Sequence, residues 1–260
     1  MKPNRFKKQM TEKNFAIGHM ISEFGTRGQA KMLESIDIDF VVIDCEHSGF
    51  STADISDQIA WFKATDISPF VRVPQIQYHL IARVMDAGAQ GVMIPNVTTV
   101  SEARSVMDAV KYAPLGKRGV NLGVSHSDYR KVDPPSYMAE CNENTIIICQ
   151  IESLEGLENL EDIAATSGID VLWVGQSDLT HSMGIPGQYH HEKFIAALKH
   201  VTDVAGKNGL GAGIQPQDLN QAEEWMGLGF NVVSYGSDHS VYIHAMNRAV
   251  QAIQRISRKS

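Results

Sequence analysis

The stretch 145-TIIICQIESLEGLENLEDIAATSGIDVLWVG-175 contains two short apolar runs with a helical segment between them. The runs 145–151 and 170–175 are almost uniformly apolar, which is typical of strands that are covered on both faces. Between them, leucine and alanine side chains recur at helical spacing over 154–165. Two buried strands joined by a helix indicate a parallel βαβ unit.

The same alternation repeats along the whole chain. Apolar runs predict strands at 15–21, 40–44, 69–73, 91–95, 145–151, 170–175, 210–214 and 230–236. Helical periodicity is found at 75–88, 99–111, 154–165, 191–205, 217–228 and 240–256. Eight such units predict an α/β protein with a single (β/α)8 barrel domain over 1–260, preceded within it by a polar N-terminal extension at 1–14. An open doubly wound sheet is the alternative, but the segment "SEFGTRGQA" fits its glycine-rich phosphate turn poorly.

Composition excludes several classes of protein. A chain of 260 residues with 43% hydrophobic content can bury one large core. The net charge of −7 argues against nucleic acid or an anionic membrane as a partner, and no apolar run approaches the roughly 18 residues of a membrane span. The three cysteines show no CxxC spacing, and the start does not resemble a signal peptide. These features predict a reduced, cytoplasmic protein.

Ionisable and polar residues cluster at the carboxyl ends of the predicted strands, where a barrel builds its active site. They are Asp44, Glu46 and His47 after the second strand, Arg72 after the third, Gln150 and Glu152 after the fifth, and Gly175, Ser177 and Asp178 after the sixth. Each also has a structural explanation on its own. Arg72 could pair with a barrel carboxylate, Asp178 could cap a helix, and Glu152 could be an acid in a first helical turn. Their convergence on one mouth favours a functional site.

The residue types in this set predict chemistry on a 2-oxo acid. Two carboxylates on adjacent strands, Glu152 and Asp178, suit a hard cation such as Mg²⁺ or Mn²⁺. The planar guanidinium of Arg72 suits an anionic substrate. His47, backed by Asp44, suits proton transfer. Together they predict a metal-chelated 2-oxo acid and an enolate that is stabilised as it forms.

Several motifs resemble those of the HpcH/HpaI family of class II aldolases, from about residue 15 to residue 250. They are "VVIDCEHS", "VRVP", "DAGAQGVMIPNV", "YAPLGKRGV", the segment Gln150–Gly187 and "GFNVVSYGSD". The resemblance implies a barrel of the phosphoenolpyruvate/pyruvate type, usually a homohexamer with an exchanged last helix. It also implies reversible cleavage of a 4-hydroxy-2-oxo acid to pyruvate and an aldehyde.

The resemblance assigns roles to the residues at the strand ends. Glu152 and Asp178 would bind the metal, Mg²⁺ or Mn²⁺, with other divalent cations such as Co²⁺ left open. Arg72 would bind the carboxylate or enolate oxygen of pyruvate, and His47, oriented by Asp44, would be the base. The residues that would hold the oxo acid are Gln150, Gly175 and Ser177. Glu46 belongs to the same motif and would contact a metal-bound water or the arginine.

Three departures from the family pattern leave the acceptor and the reaction open. Gln176 stands where relatives have a proline. The segment "RGVNLGVSHSDYR", interpreted as part of a long fourth βα connection over 116–144, would bring to the mouth His126, Asp128, Tyr129 and Arg130. Strand one leads into "SEFGTRG", so Glu23 and Arg27 are candidates for facing the substrate. Asp86 is expected to support the site or a subunit contact.

Other functions remain as alternatives. The main one is a citrate-synthase-like transferase that condenses oxaloacetate with an acyl-CoA, for which the candidates to bind the CoA phosphates are Lys117, Arg118 and Arg130. A non-catalytic barrel has little support, because the acid, base and metal set is complete. A Schiff-base aldolase needs a lysine at the C-terminal tip of a strand. The lysines considered fall on predicted helices or at their far ends, at Lys31, Lys63, Lys111 and Lys207.

Overall fold

The computed structural model describes residues 1–258 and confirms the predicted (β/α)8 fold. Each strand pairs in parallel with the next along the chain, and the eighth closes on the first. The strands are β1 Ala16–Ile21, β2 Phe40–Asp44, β3 Ser68–Arg72, β4 Gly91–Ile94, β5 Ile146–Ile151, β6 Val171–Val174, β7 Gly211–Ile214 and β8 Val232–Ser237. All eight predicted strands are therefore present, and β2 has the predicted bounds.

Helices surround the barrel and extend beyond those predicted from periodicity. They are α1 Arg5–Lys13, α2 Arg27–Glu34, α3 Thr52–Lys63, α4 Tyr78–Ala87, α5 Val100–Val110, α6 Pro134–Asn144, α7 Leu154–Glu158, α8 Leu160–Ala164, α9 Gln176–Ser182, α10 Glu192–Lys207, α11 Leu219–Gly227 and α12 Asp238–Ser257. The helix predicted over 154–165 is divided at Asn159, whose side chain donates to the carbonyl of Thr98 at 2.9 Å. α3 was not singled out, although Ser51 and Asp54 form a capping box at its start.

The segment expected as a polar extension contains α1, which closes the N-terminal end of the barrel. Phe6 is 2% exposed, and its ring meets those of Phe40 and Phe70 edge-on at 5.4 and 5.2 Å between centroids. Space for these rings depends on Gly18, because a Cβ there would overlap the Phe40 ring. The Asn4 side chain accepts from the Lys7 N–H and caps the helix. Aromatic packing thus fills one end of the barrel and leaves the other for polar groups.

The long connection over 116–144 lies at the N-terminal face of the barrel. The prediction that it lies at the mouth is therefore wrong. It follows α5 and leads into β5, and it is therefore an αβ connection rather than a βα connection. Asp128 forms an ion pair of 2.7 Å with Lys63 at the end of α3, and Arg118 forms one of 2.5 Å with Asp86 at the end of α4. His126 is buried beside Tyr137. The residues His126, Asp128, Tyr129 and Arg130 of this connection therefore do not lie at the mouth of this chain's barrel.

α12 makes few contacts with its own barrel. From Val241 to Arg258 every described side chain is exposed. Apolar side chains recur along one face at spacings of three and four residues, at Tyr242, Met246, Val250 and Ile253. Within residues 1–258, no helix is long and apolar enough to cross a membrane.

Replacing Phe6 by alanine is expected to destabilise the fold by about 3–5 kcal/mol, because it empties the closed end of the barrel. The free energy of unfolding would be measured by chemical denaturation followed by circular dichroism. Phe24→Ala is the matched control, since Phe24 is 38% exposed, and we expect a loss below about 1 kcal/mol. Equal losses in the two variants would contradict the role assigned to Phe6.

Candidate active site

A buried ion pair joins the ends of β2 and β3. Arg72 Nε donates to Asp44 Oδ1 at 2.9 Å, and Nη2 donates to Oδ2 at 2.7 Å. Asp44 is 1% exposed and Arg72 is 8% exposed. The two residues are direct partners in the register of the parallel strands, so the strand pairing itself sets up this two-bond contact. The third guanidinium nitrogen, Nη1, lies 3.2 Å from Glu46 Oε2.

The structure corrects the prediction that Asp44 orients His47. Both carboxylate oxygens of Asp44 bond to Arg72, and Oδ1 also accepts the backbone N–H of Glu46 at 2.9 Å. His47 lies beyond the strand end, where its imidazole is exposed and its Nε2 is 3.7 Å from Glu46 Oε2. The Asp44 side chain points into the barrel, whereas His47 lies in the turn after β2. The two side chains are therefore separated. Glu46 therefore lies between the guanidinium and the imidazole.

Glu152 is a buried carboxylate at the end of β5. Its Oε1 accepts the backbone N–H of Asn96 at 2.7 Å, and its Oε2 accepts from the side-chain amide of Gln150. Burial raises the pKa of Glu152 to about 7, and the carboxylates of Asp178 and Glu46 act in the same direction against these two hydrogen bonds. Asn96 has a φ of 45°, in the left-handed region that asparagine tolerates. Its contact with Glu152 was not predicted, and the asparagine directly after "MIP" was the available signal.

Asp178 lies exposed in the first turn of α9, which follows β6. Gly175 is the residue that caps this helix, so the capping role considered for Asp178 does not apply. The Gly175 N–H donates to the Ile151 carbonyl at 3.2 Å, and a Cβ at Gly175 would overlap Glu152 Oε2. Glycine at this position therefore leaves room for the buried carboxylate beside the helix that carries Asp178.

Gln176 and Ser177 make defined contacts at the start of α9. Gln176 Nε2 donates to the carbonyl of Gln215 at 2.7 Å, which ties α9 to the residue after β7. The Ser177 hydroxyl is exposed and lies 3.3 Å from the hydroxyl of Tyr189. Glutamine thus supplies a side-chain bond where the family pattern has proline.

The donor set at the mouth fits a hard cation. Burial, followed by the nearby carboxylates of Asp44 and Asp178, raises the pKa of Glu46 against the attraction of Arg72 and His47. The buried Oε1 of Gln150 has no hydrogen-bond partner among the described residues. Repelling carboxylates and a buried oxygen without a donor both suit a divalent ion with oxygen ligands.

Across residues 1–258, no group of three or more His, Cys, Asp or Glu side chains is arranged to hold a metal. A cation bound by Glu152 and Asp178 would therefore keep most of its coordination positions for water and substrate oxygens, as Mg²⁺ commonly does.

The lysines considered for a Schiff base lie where the sequence predicted. Lys31 lies in α2, Lys63 and Lys207 end α3 and α10, and Lys111 follows α5. Lys111 is buried, and its Nζ donates to the carbonyls of Asn142 and Thr145 at 2.7 Å. None of these four lysines lies at the C-terminal end of a strand.

Comparison with known proteins gives one consistent result. Residues 26–245 match the model of the HpcH/HpaI aldolase/citrate lyase family. The hydroxypyruvate/pyruvate aldolase of Paraburkholderia phytofirmans is 32% identical over 257 residues, covering 96% of this chain and 98% of that protein. The 5-keto-4-deoxy-D-glucarate aldolase of Enterobacter sp. (strain 638) is 31% identical over 253 residues, covering 97% and 98%.

Solved structures are similar over the whole barrel. The HpcH/HpaI aldolase from Desulfitobacterium hafniense DCB-2 has a TM-score of 0.91 at 26% identity, covering 95% of this chain and 96% of that chain. The citrate synthase SbnG has a TM-score of 0.86 at 25% identity, covering 97% and 99%.

Removing the charge of Glu152 is expected to stabilise the metal-free protein at alkaline pH. Its folded-state pKa of about 7 exceeds the ordinary 4.5, so stability falls as pH rises between these values. Above pH 7 the cost is up to about 3 kcal/mol, and Glu152→Gln would abolish it because the Gln150 amide can turn its oxygen toward the new donor. Denaturation in the presence of chelator would be compared at pH 4.5 and pH 8.

Glu158→Gln, an exposed substitution on α7, is the control. We expect its stability to follow that of the wild type at both pH values. Glu152→Gln should be the more stable protein at pH 8 and should lose that advantage at pH 4.5. Parallel pH profiles for Glu152→Gln and the wild type would contradict the assigned pKa.

Proposed function

Because the chain belongs to the HpcH/HpaI aldolase/citrate lyase family and is a carbon–carbon lyase, we propose that it is a divalent-metal-dependent aldolase that interconverts a 4-hydroxy-2-oxo acid with pyruvate and an aldehyde. The observation that carries the proposal is the buried carboxylate of Glu152, which experiences the charges of Asp178 and Glu46 at the mouth where Arg72 ends β3. Such a set accommodates both a cation and an anionic oxo acid.

Glu152 and Asp178 are the proposed metal ligands, with Mg²⁺ or Mn²⁺ as the ion and other divalent cations such as Co²⁺ open. A divalent cation held there supplies positive charge beside the oxygens of the oxo acid. Arg72 binds the oxygen that gains negative charge in the enolate, and its two bonds to Asp44 hold the guanidinium in place. The oxo acid is held by Gln150, Gly175 and Ser177.

His47 is the proposed base. In the cleavage direction it takes the proton from the C4 hydroxyl as the C3–C4 bond breaks, and the electron pair of that bond becomes the enolate of pyruvate. Glu46, whose Oε2 lies 3.7 Å from the imidazole Nε2, replaces Asp44 as the carboxylate beside the ring. In the synthetic direction His47 returns the proton to the new hydroxyl.

A condensing transferase is the second candidate, since a citrate synthase shares the scaffold. The basic residues expected to bind the CoA phosphates are Lys117, Arg118 and Arg130. They belong to the connection at the N-terminal face of this chain's barrel. Arg118 is already paired with Asp86 and buried over the ring of Tyr112. The transferase therefore lacks its expected phosphate site at the mouth, and the aldolase is favoured.

We also propose that α12 packs against another copy of the chain in a homohexamer. Its exposed apolar face, defined by Tyr242, Met246, Val250 and Ile253, has no counterpart on its own barrel that covers it. Burying such side chains gains about 1.5–3 kcal/mol each, which is enough to drive association. A second copy offers the same exposed helix face in return.

Charges on the apolar face of α12 are expected to break up the oligomer. Val250→Asp combined with Ile253→Asp would place two carboxylates in the buried contact, and size-exclusion chromatography with light scattering should then show a smaller species. Gln251→Asp, on the opposite face of the helix, should leave the mass unchanged. An unchanged mass in the double variant would refute the contact.

Exchange of the pyruvate methyl protons in D₂O tests the metal–enolate half of the reaction without an aldehyde. We expect exchange with Mg²⁺ or Mn²⁺, its loss with EDTA, and a loss of at least about 100-fold in Asp178→Ala, because the metal contributes several kcal/mol of charge stabilisation. Proton NMR follows the reaction with Mg²⁺, and mass spectrometry follows it with Mn²⁺.

Asp203→Ala, an exposed substitution on α10, is the matched control and should retain wild-type exchange. Exchange that persists in EDTA, or in Asp178→Ala at saturating metal, would count against the metal site. Absence of exchange in every condition would direct the test to oxaloacetate with an acyl-CoA.

A further inference from the structure

A cavity of about 470 Å³ lies at the N-terminal face of the barrel, between α1 and the end of α10. Asp170 and Gly211, where β6 and β7 begin, form part of its floor. Its volume falls within the roughly 300–1,000 Å³ of small-molecule sites in proteins. Glu152 and Asp178 lie at the opposite end of the barrel, so this cavity is separate from the candidate active site.

Asp170 brings a carboxylate oxygen without a partner to this cavity. Its Oδ2 accepts the backbone N–H of Ile147 at 2.8 Å, whereas no group within residues 1–258 donates a hydrogen bond to Oδ1. Burial raises the pKa of Asp170, and the nearby ammonium groups of Lys111 and Lys7 offset this only in part. The three protons of Lys111 Nζ are directed at two backbone carbonyls and a threonine hydroxyl. The carboxylate would therefore gain from a further positive group.

The end of α10 adds partial negative charge on the same side of the cavity. Ala205 and Gly206 belong to the last turn of this 16-residue helix and line the cavity. The N–H of Gly211, which follows the helix, donates to the Asp170 carbonyl at 2.9 Å and so joins the helix end to the acid. Because the C-terminal end of a helix dipole is negative, a positive group is favoured at this wall.

The facing wall is α1, which carries hydrogen-bond donors. Lys7, Thr11 and Asn14 are spaced by four and three residues, so they share one side of the helix and its C-cap, and all three line the cavity. Lys7 is exposed, and its Nζ donates to the backbone carbonyl of Glu143, which leaves two protons for a ligand. Asn14 Oδ1 accepts from Asn231 Nδ2 at 3.0 Å, so the Asn14 amide N–H groups face outward as donors. This wall therefore suits an anionic group.

The two walls together favour a ligand that carries both charges. The charged residues that line the cavity are one acid, Asp170, and one base, Lys7. A ligand with a single charge would be attracted to one of them and repelled by the other. A zwitterion with an ammonium group and a carboxylate on neighbouring atoms matches both, and a free α-amino acid has this arrangement.

We propose that this cavity is a binding site for a free α-amino acid, whose ammonium group pairs with Asp170 Oδ1 and whose carboxylate pairs with Lys7 Nζ. The site lies outside the proposed aldolase chemistry and does not depend on it. A ligand held there would join α1 to the floor of the barrel, and α1 carries the Phe6 ring that fills this end. Binding would therefore stabilise the folded chain.

Thermal unfolding of the full chain tests for binding. Glycine and each of the standard L-amino acids would be added at about 20 mM, because a ligand that binds only the folded state raises the Tm. The amino acid with the largest effect would then be titrated by calorimetry, with and without saturating pyruvate and Mg²⁺. We expect the same affinity in both conditions. The corresponding amine, which lacks the carboxylate, and the corresponding carboxylic acid, which lacks the ammonium group, should each bind at least about tenfold more weakly.

Three variants test the location of the site. Asp170→Asn and Lys7→Met should each weaken binding by at least about tenfold, because each removes one of the two charges. Asparagine at 170 keeps an oxygen for the Ile147 N–H, so the strand start is preserved. Gly206→Leu tests the cavity without touching either charge. A Cβ at Gly206 would meet no neighbouring atom within 4 Å, so leucine fits the helix, should fill the cavity and abolish binding, and should leave the ligand-free Tm at or above that of the wild type.

Lys13→Met on α1 and Asp203→Asn on α10 are the matched controls, because both residues are exposed and neither lines the cavity. Both variants should bind the amino acid as the wild type does. The inference would be overturned if no amino acid raised the Tm, or if Asp170→Asn and Lys7→Met bound with unchanged affinity. Equal binding of the amine would also overturn it, since that is the behaviour of a site for a cation alone. Displacement by pyruvate and Mg²⁺ would place the ligand at the mouth and would refute the assigned location.

Discussion

The parallel register of the closed barrel is the constraint on which the site depends. Because all eight strands run in the same direction, their carboxyl ends meet at one mouth. Register then decides which side chains are neighbours: Asp44 pairs with Arg72, and Gln150 pairs with Trp173 one residue before the β6 end. A shift of one residue in either strand would turn Arg72 or Gln150 away from the interior. The aromatic layer around Phe6 fills the other end, and the acids and the arginine of the candidate site lie at the mouth.

The two buried carboxylates at the mouth, Asp44 and Glu152, differ in how well hydrogen bonds and ion pairs offset the cost of burying their charge. Asp44 is buried at low cost, because Arg72 and a backbone N–H satisfy both of its oxygens. Glu152 is also buried, but its partners are one backbone N–H and one side-chain amide, and other carboxylates stand nearby. Its raised pKa is the physical sign that positive charge would be favourable there. The two acids differ in role because only one of them has a permanent cation as its partner.

Several local predictions failed for a common reason, which is that they needed knowledge of neighbours distant in sequence. Asp44 and His47 are close along the chain, but the strand end directs them apart, and Arg72, 28 residues away, takes the carboxylate instead. The connection over 116–144 was predicted on the wrong face, because it follows the helix α5 rather than the strand β4 and so lies at the N-terminal end of the barrel. Asn96 contacts Glu152 through its backbone N–H, and the position of that N–H depends on backbone geometry rather than on the residue type.

The sequence by itself determined the architecture, because alternating short apolar runs and amphipathic helices admit few arrangements that bury both faces of every strand. It also determined that carboxylates, an arginine and a histidine follow particular strands, since position after a strand is local information. Only the tertiary structure decided which of these groups touch: Asp44 contacts Arg72, and Glu46 lies between Arg72 and His47. Hydrogen bonds and charge interactions act over a few ångströms, and those separations arise only when the register closes the barrel.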